Sequence, residues 1–412
     1  MHPRDAAVTV IGAGAVGAAV AYFLAREGWT DVQVLESRDP SSATTSQAAG
    51  FVGQARPTVE RARLTMASAE LFASFERQTG YTMDWRQVGA VRLALSPSAE
   101  LELQQIADTA AITGLPVSFL TPRELQELYP VLEDISTVRS ALWSPTDGYL
   151  QPNSLVNAYL QAARDLGVTV SPHSPVTGIT VTEGSVTGVT TPHGHHRTEL
   201  VVNAAGPWAG AVAQLVGLEL PIIPVLHEYF VTETAPGWSS DLPCLRVPEL
   251  QVYARGEVGR VLCGGFEHEG TSLDPTSVQL GSRLVPQPNW EVLGQFSANL
   301  ERFVPGIGDL GVSSVFRGWP GFSPDGRFIV GPVSELRGFV MAAACNAHGV
   351  SGSAGLAMAL VESLAKDPSP YVQSLSPDRF IPRTWDWEEA RRTAQAVYEN
   401  YYPMPGSAAT AH

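Results

Sequence analysis

The sequence predicts a mixed α/β and α+β fold, in which a discontinuous parallel-sheet domain is interrupted by an antiparallel-sheet layer. Three observations predict it. A strand, a glycine turn, a helix, a second strand and a terminal acid follow one another without a break from Val8 to Glu36. From Pro221 to Phe316 the chain alternates short strands and turns, and from Phe328 to Ala365 it returns to strand followed by small-residue helix. This pattern assigns residues 1–85, 145–215 and 317–366 to the parallel domain and 86–144 and 216–316 to the inserted layer. Residues 367–412 form a tail with its own helix.

The first unit carries the most chemistry. Val8, Val10 and Ile11 suit a strand buried on both faces. Gly12, Gly14 and Gly17 then spell G-x-G-x-x-G: Gly12 for a sharp turn, Gly14 for close backbone approach to a pyrophosphate, Gly17 for tight packing of helix on strand. The first helical turn, with Ala15 and Val16, would present free N–H groups and a positive dipole end to phosphates. The helix runs to about Glu27 and stops at Gly28. Val32, Val34 and Leu35 lead to Glu36, placed to accept hydrogen bonds from both ribose hydroxyls, with Ser37 and Arg38 beside it. Such an acid repels a 2′-phosphate and argues against NADP. The uncharged run Ala6 to Ala25 has the length of a bilayer span or signal segment, but its glycines and the strand–helix reading count against both.

Pro40 to Gly53 reads as a small polar loop that follows a dinucleotide toward its reactive end, with Thr45, Ser46, Gln47, Ala49 and Gly50 along it. Thr58 to Gln78 carries Leu64, Ala67, Leu71 and Phe75 at helical spacing before Gly80. Val88 to Leu95 reads as a strand and Ser98 to Ile112 as a helix closed by Gly114. Thr121-Pro122-Arg123-Glu124 is a capping box with proline in the first turn. Asn153 is expected to cap a helix from Ser154 to Leu166, followed by strands at Val168 to Val170 and Val176 to Val181. Val186 to Ala204 reads as a hairpin with PHGHH at its tip, its second strand entering Ala205-Gly206-Pro207-Trp208. His193, His195 and His196 invite a metal reading, but no nearby carboxylate or cysteine completes a ligand set, so no metal is expected and the three read as solvated tip residues. The inserted layer places strands at Ile222 to Thr232, Leu250 to Ala254, Val261 to Phe266 and Val312 to Phe316. Phe328 to Val330 and Gly338 to Cys345 are further strands, Gly349 to Ala365 a helix, and the tail helix spans about Trp387 to Tyr401.

A chain of 412 residues with 44% hydrophobic composition can bury ample core. Its formal net charge of -15 sets it against nucleic acid and anionic lipid, so neither is an expected partner. Cys244, Cys263 and Cys345 lie far apart with no C-x-x-C pair, which argues for a reducing compartment and a cytoplasmic location.

The N-terminal fingerprint, the Ala-Ala-Gly after a strand, the Ser323-Pro324-Asp325-Gly326 turn and the passage at Asn346-Ala347-His348-Gly349 are all places where backbone can approach one long cofactor. In combination they resemble the FAD-dependent amine and amino-acid oxidoreductases that include D-amino-acid, glycine and sarcosine oxidases. TSQAAGFVGQ, SPTDGYLQP (Ser144 to Pro152), HEYFVTE (His227 to Glu233) and GFSPDGRFIVGP are most similar to the flavin portion of dimethylglycine and sarcosine dehydrogenases. The resemblance implies a Rossmann-like FAD-binding domain covered by the inserted sheet, now a substrate domain. It implies adenine-side contact by Val176, backbone contacts at Ala205, Gly206, Trp208, Asp325 and Gly326, and a final helix whose start, His348, Gly349, Val350 and Ser351, faces the flavin.

For the chemistry it implies His227 as the group taking an ammonium proton and Tyr253 as the group orienting substrate, with Arg255, Arg56 and Arg317 as candidate carboxylate partners and His348 beside the substrate. Relatives that attach flavin through histidine carry it where this chain has Gln47. The region used for cysteine attachment holds Gly318 and Trp319, so FAD is expected to be non-covalent. Ser351 and Ser353 stand where simple sarcosine oxidases carry a lysine, and the only lysine of the chain is Lys366, which tilts the acceptor from O2 toward an electron-transfer protein. The chain ends at His412 without the folate-binding extension, so no built-in folate partner is expected. The expected activity is oxidation of a secondary or tertiary amine of sarcosine or dimethylglycine type. The rivals are a glycine or D-amino-acid oxidase and a non-catalytic or electron-transfer flavoprotein subunit.

Overall fold

The computed structural model describes residues 2–381 and 384–402, so the remainder of the expected tail lies outside the described residues. Val8–Ile11 lies at the middle of a six-stranded sheet of order Ile329–Pro332, Phe339–Ala343, Leu200–Asn203, Val8–Ile11, Val32–Leu35, Thr169–Ser171. All neighbours are parallel except the first pair. Val10 sits between Val202 and Val34, and all three are wholly buried, because helices and side chains cover both faces. The helix Ala15–Arg26 packs between Pro152–Asp165 and Ser353–Ser363. Tyr22, Phe75 and Tyr159 meet there with ring centroids 5.2 to 5.9 Å apart. Each such ring removes a large apolar area from water, so this seam is a main stabilising contact of the parallel domain.

The second sheet has eight strands: Val312–Gly318, His227–Thr234, Arg260–Gly265, Val252–Gly256, Cys244–Val247, Ala90–Ala94, Ser140–Ser144 and Ser118–Phe119. It is not purely antiparallel. Cys244–Val247 runs parallel to Ala90–Ala94, at the seam where the two separate stretches of inserted chain meet. A helix absent from the sequence reading, Trp290–Glu301, buries Leu293, Phe296 and Leu300 against this sheet. Asn289 starts it, its side-chain oxygen accepting from the N–H groups of Glu291 and Val292.

Several boundaries differ from expectation for local reasons. Pro152 opens its helix, which puts Asn153 inside the first turn with Gln151 at the cap. The hairpin pairs Ser185–Thr191 with Gly194–Arg197, while Leu200–Asn203 leaves it to join the parallel sheet. His193 is at the tip and exposed, but His196 is buried in the second strand, where Nε2 lies 3.1 Å from the Thr191 hydroxyl, so it is not a solvated tip residue. The last helix of the parallel domain starts at Ser353, not Gly349, because Ala344, Asn346 and Ala347 adopt left-handed backbone and the chain must turn before it can wind. Among the described residues, no helix is long and apolar enough to cross a membrane and no group of three His, Cys, Asp or Glu side chains could hold a metal ion.

Candidate active site

The first part of the site is a cleft at the carboxyl ends of the parallel strands, with about 860 Å³ of empty space, part of it open to solvent. Gly12, Gly14, Glu36, Ser37, Arg38, Thr45, Val176, Ala205, Gly206 and Trp208 of the expected residues all line it. The turn at Gly12 and the close packing at Gly17 are as the sequence reading assigned. Gly12 has φ +104°, and a Cβ there would lie 2.6 Å from the Ala204 carbonyl oxygen. A Cβ on Gly17 would lie 2.0 Å from the Gly12 carbonyl oxygen, so helix and strand can approach only without it. At Gly14 a Cβ would meet only the Thr45 hydroxyl, at 3.1 Å. Gly14 is also the cap residue and receives no side-chain cap, leaving the helix start bare toward the cleft. Ala15 N–H donates to Thr45 Oγ1 (3.1 Å), and Ala15, Val16 and Gly17 stand behind the cleft in the first turn.

Glu36 accepts from the N–H of Ala13 (2.8 Å) and of Arg38 (2.8 Å), which fixes its carboxylate at the cleft's edge with lone pairs remaining. Sequence reasoning missed the opposite lip. Gly281 and Ser282, from the inserted chain, close over the cleft as Arg38 donates to the Ser282 carbonyl (2.6 Å) and Trp208 Nε1 donates to its hydroxyl (3.2 Å). Only a glycine turn marks them in the sequence. A bare helix start for phosphates and a carboxylate for ribose, in a cleft a Cβ would fill, fit an adenine dinucleotide.

The other expected cofactor residues do not line this cleft. Ser46 donates to the Ala43 carbonyl, and Gln47 accepts from Arg317 N–H (3.1 Å), tying the loop to the inserted sheet. The Ala49 carbonyl accepts from Arg255 Nε (3.2 Å), and Gly50 packs where a Cβ would sit 2.1 Å from the Leu150 carbonyl oxygen. Asp325 binds Arg327, Arg379 and the Ser323 hydroxyl, so it holds its own turn together, and Gly326 offers its carbonyl to Arg61. Gly349, Val350 and Ser351 form the turn before the helix, with Val350 and Ser351 buried.

The second part of the site lies where the inserted sheet faces the parallel domain. His227 begins one strand and Tyr253 lies on another, with Arg260–Gly265 between them. They nonetheless meet, His227 Nε2 to Tyr253 Oη at 2.8 Å, because the intervening position is Gly264, where a Cβ would lie 2.5 Å from that hydroxyl. Tyr398, from the tail helix, donates a short hydrogen bond to Glu267, and its oxygen lies 3.4 Å from His227 Nδ1. With Glu267 ionised, Tyr398 donates to it and can only accept from His227, which assigns the proton to Nδ1 and leaves Nε2 as the acceptor facing Tyr253. Burial lowers His227 to about 4 and raises Glu267 to about 7. Phe266 stacks 4.6 Å from the His227 ring and 3.8 Å from Tyr401. His348 donates Nδ1–H to the Asn346 carbonyl (2.7 Å) and sits 3.4 Å from the Tyr401 hydroxyl, and burial holds it well below the ordinary imidazole value.

The three candidate arginines separate. Arg255 is committed: it pairs with Glu257 at 2.6 Å, lies 4.1 Å over the Tyr149 ring and donates to backbone. Arg317 stands opposite buried Glu228 across paired strands. Arg255 is therefore not a free carboxylate partner, whereas Arg317 has only its place opposite Glu228. Arg56 lies instead in a small cavity with Arg92 and Arg246, two arginines the sequence reading did not select.

Fold and cleft together define a dinucleotide-binding oxidoreductase with a covering sheet. The family described as FAD dependent oxidoreductase matches residues 7–363, and the chain belongs to it; its cofactor is FAD. The chain is 29% identical over 410 residues to human mitochondrial dimethylglycine dehydrogenase, which covers 97% of this chain and 46% of that protein. It is 31% identical over 354 residues to human mitochondrial sarcosine dehydrogenase, covering 84% of this chain and 38% of that one. It thus spans less than half the length of either relative. L-proline dehydrogenase from P. horikoshii shares the fold, with a TM-score of 0.82 over 92% of this chain and 98% of that chain at 24% identity.

Proposed function

We propose that the chain oxidises a secondary or tertiary amine of N-methyl amino acid type, the imine product hydrolysing in water. The observation that carries this reading is the His227–Tyr253 pair, held at 2.8 Å in an aromatic enclosure beside a buried cationic cavity. FAD, held non-covalently by the cleft residues Gly12, Gly14, Glu36, Thr45, Val176 and Ala205 to Trp208, supplies a hydride acceptor. His227, kept neutral at pH 7 by burial, accepts at Nε2 the hydrogen bond of Tyr253, so that the Tyr253 oxygen faces outward as the acceptor that orients the amine, which binds in its neutral form. Arg56, with Arg246 next to it, replaces Arg255 and Arg317 as the carboxylate partner. The likeness to dimethylglycine and sarcosine dehydrogenases supports the amine class.

In this reading residues 1–85, 145–215 and 317–366 hold the flavin while 86–144 and 216–316 close over the substrate. Exposed Lys366, beyond the end of the Ser353–Ser363 helix, supports an acceptor other than O2. The test is anaerobic mixing of purified yellow protein with sarcosine, dimethylglycine, glycine and D-alanine. Bleaching at 450 nm by the N-methyl compounds supports the proposal. Bleaching by glycine or D-alanine alone transfers the protein to the amino-acid oxidase reading, and no bleaching by any amine transfers it to the electron-transfer subunit reading.

A further inference from the structure

Arg56, Arg92 and Arg246 converge on a cavity lined also by Gly53, Ser144 and Asp147. Arg56 is 7% exposed and Arg246 8% exposed. Arg56 Nε has no hydrogen-bond partner, and among the described residues none of the three guanidinium groups forms an ion pair within 4.0 Å, although Arg4, Arg255 and Arg379 do. The single carboxylate of the cavity, Asp147, is occupied by Gln54, whose backbone N–H donates at 2.9 Å. Tyr402 offers Arg246 only a neutral hydroxyl, at 3.3 Å.

An uncompensated buried charge costs several kcal/mol even after the surroundings relax, so a fold that gathers two buried guanidinium groups and a half-buried third around one carboxylate needs a further anion to make the arrangement favourable. Burial and the neighbouring Arg246 push Arg92 down to about 10, whereas Arg246 is held above the ordinary guanidinium value, against burial, by Tyr402, Tyr401, Cys244 and Asp147; burial pushes Asp147 up to about 6 although Arg246 and Arg56 pull it down. With Asp147 ionised, three arginines and one aspartate leave the cavity two positive charges in surplus, so one monocarboxylate does not balance it and two carboxylates do. The cavity is also next to the catalytic pair. Arg246 lies 5.4 Å from the Phe51 ring, and Phe51 lies 4.8 Å from the Tyr253 ring.

We infer that the substrate carries two carboxylates, so that the Arg56–Arg92–Arg246 cavity selects an N-substituted amino dicarboxylic acid over a simple N-methylglycine. This rests on the amine reading above for the reaction, but not for the binding of a dianion, and the two can fail separately. The experiment uses the flavin-loaded protein. First, thermal unfolding is followed in acetate and in succinate at equal ionic strength. Succinate is expected to raise the midpoint by several degrees and acetate not to; equal effects would overturn the inference. Second, anaerobic flavin reduction is compared for sarcosine and N-methyl-L-aspartate. The dicarboxylate is expected to be favoured at least tenfold in rate over dissociation constant, and Arg92→Met is expected to reduce that ratio about tenfold, with Arg92→Lys restoring part of it. Equal or better use of sarcosine by the unaltered protein would overturn the inference. If no amine bleaches the flavin while succinate still stabilises selectively, the amine reading fails and the dianion cavity stands.

Discussion

The nucleotide cleft and the His227–Tyr253 region are built in opposite ways. The cleft is local: strand, turn, helix, strand and acid are contiguous between Val8 and Glu36, and the glycines meet backbone a few residues away or on the neighbouring strand. The His227–Tyr253 region is non-local: the two side chains touch across an intervening strand, and Glu267 and Tyr398 reach them from 40 and 171 positions further along the chain from His227. Local construction writes itself into sequence spacing, whereas non-local construction depends on what the sheet leaves out, here the side chain of Gly264.

That contrast can be broken experimentally. The largest effect is expected from Gly17→Ala: its Cβ would lie 2.0 Å from a backbone oxygen that cannot move aside. The purified variant should be nearly colourless and less stable, read from the 450 to 280 nm absorbance ratio and thermal unfolding. Next, His227→Gln leaves the cleft untouched, so FAD should stay bound while anaerobic flavin reduction slows by about 10²-fold or more. An unchanged rate would remove His227 from its role. Gly264→Ala forces Tyr253 away from His227, and because overpacking costs roughly 1–3 kcal/mol, reduction should slow about tenfold with a modest loss of stability. Glu36→Gln removes charge from the ribose acceptor; a charged hydrogen bond contributes about 1.5–3 kcal/mol, so FAD should dissociate roughly tenfold more readily on titration.

The smallest and most discriminating effect concerns pH. His227 is lowered to about 4 by burial, so as pH falls its Nε2 stays an acceptor through the ordinary imidazole range and is lost only as it protonates near 4. The acid limb of flavin reduction should therefore lie near 4, and a limb near 7 would assign the titration to Glu267. Stability follows the same sign. The unfolded chain binds a proton at this histidine near its ordinary value and the folded chain does not, so the contribution of neutral His227 is lost as pH falls from about 6.5 toward 4.

Much of the scaffold was legible. Capping at Thr121, helix ends at Gly80 and Gly114, and the strand alternation of the inserted sheet follow from short-range chemistry, while the helix read from Ser98 in fact starts at Pro97 with Ser96 as its cap. The start of the Ser353–Ser363 helix was not, because the left-handed residues Ala344, Asn346 and Ala347 are alanines and asparagine rather than glycine. The cleft lip at Gly281 and Ser282 and the arginine cavity were also hidden, since nothing near them in the chain announces their partners.

By itself the sequence determined the dinucleotide-binding unit, its choice of ribose acid and the family resemblance, because strand, glycine turn, helix, strand and acid are contiguous and Gly17 meets the backbone of Gly12 five residues before it. Only the tertiary structure decided which arginines are paired and which line the cavity. Arg255 is spent on Glu257 and Tyr149, while among the described residues Arg56, Arg92 and Arg246 form no ion pair within 4.0 Å. The reason is physical: charge pairing is set by distance in space, and the sheet brings together residues that the chain keeps up to 190 positions apart.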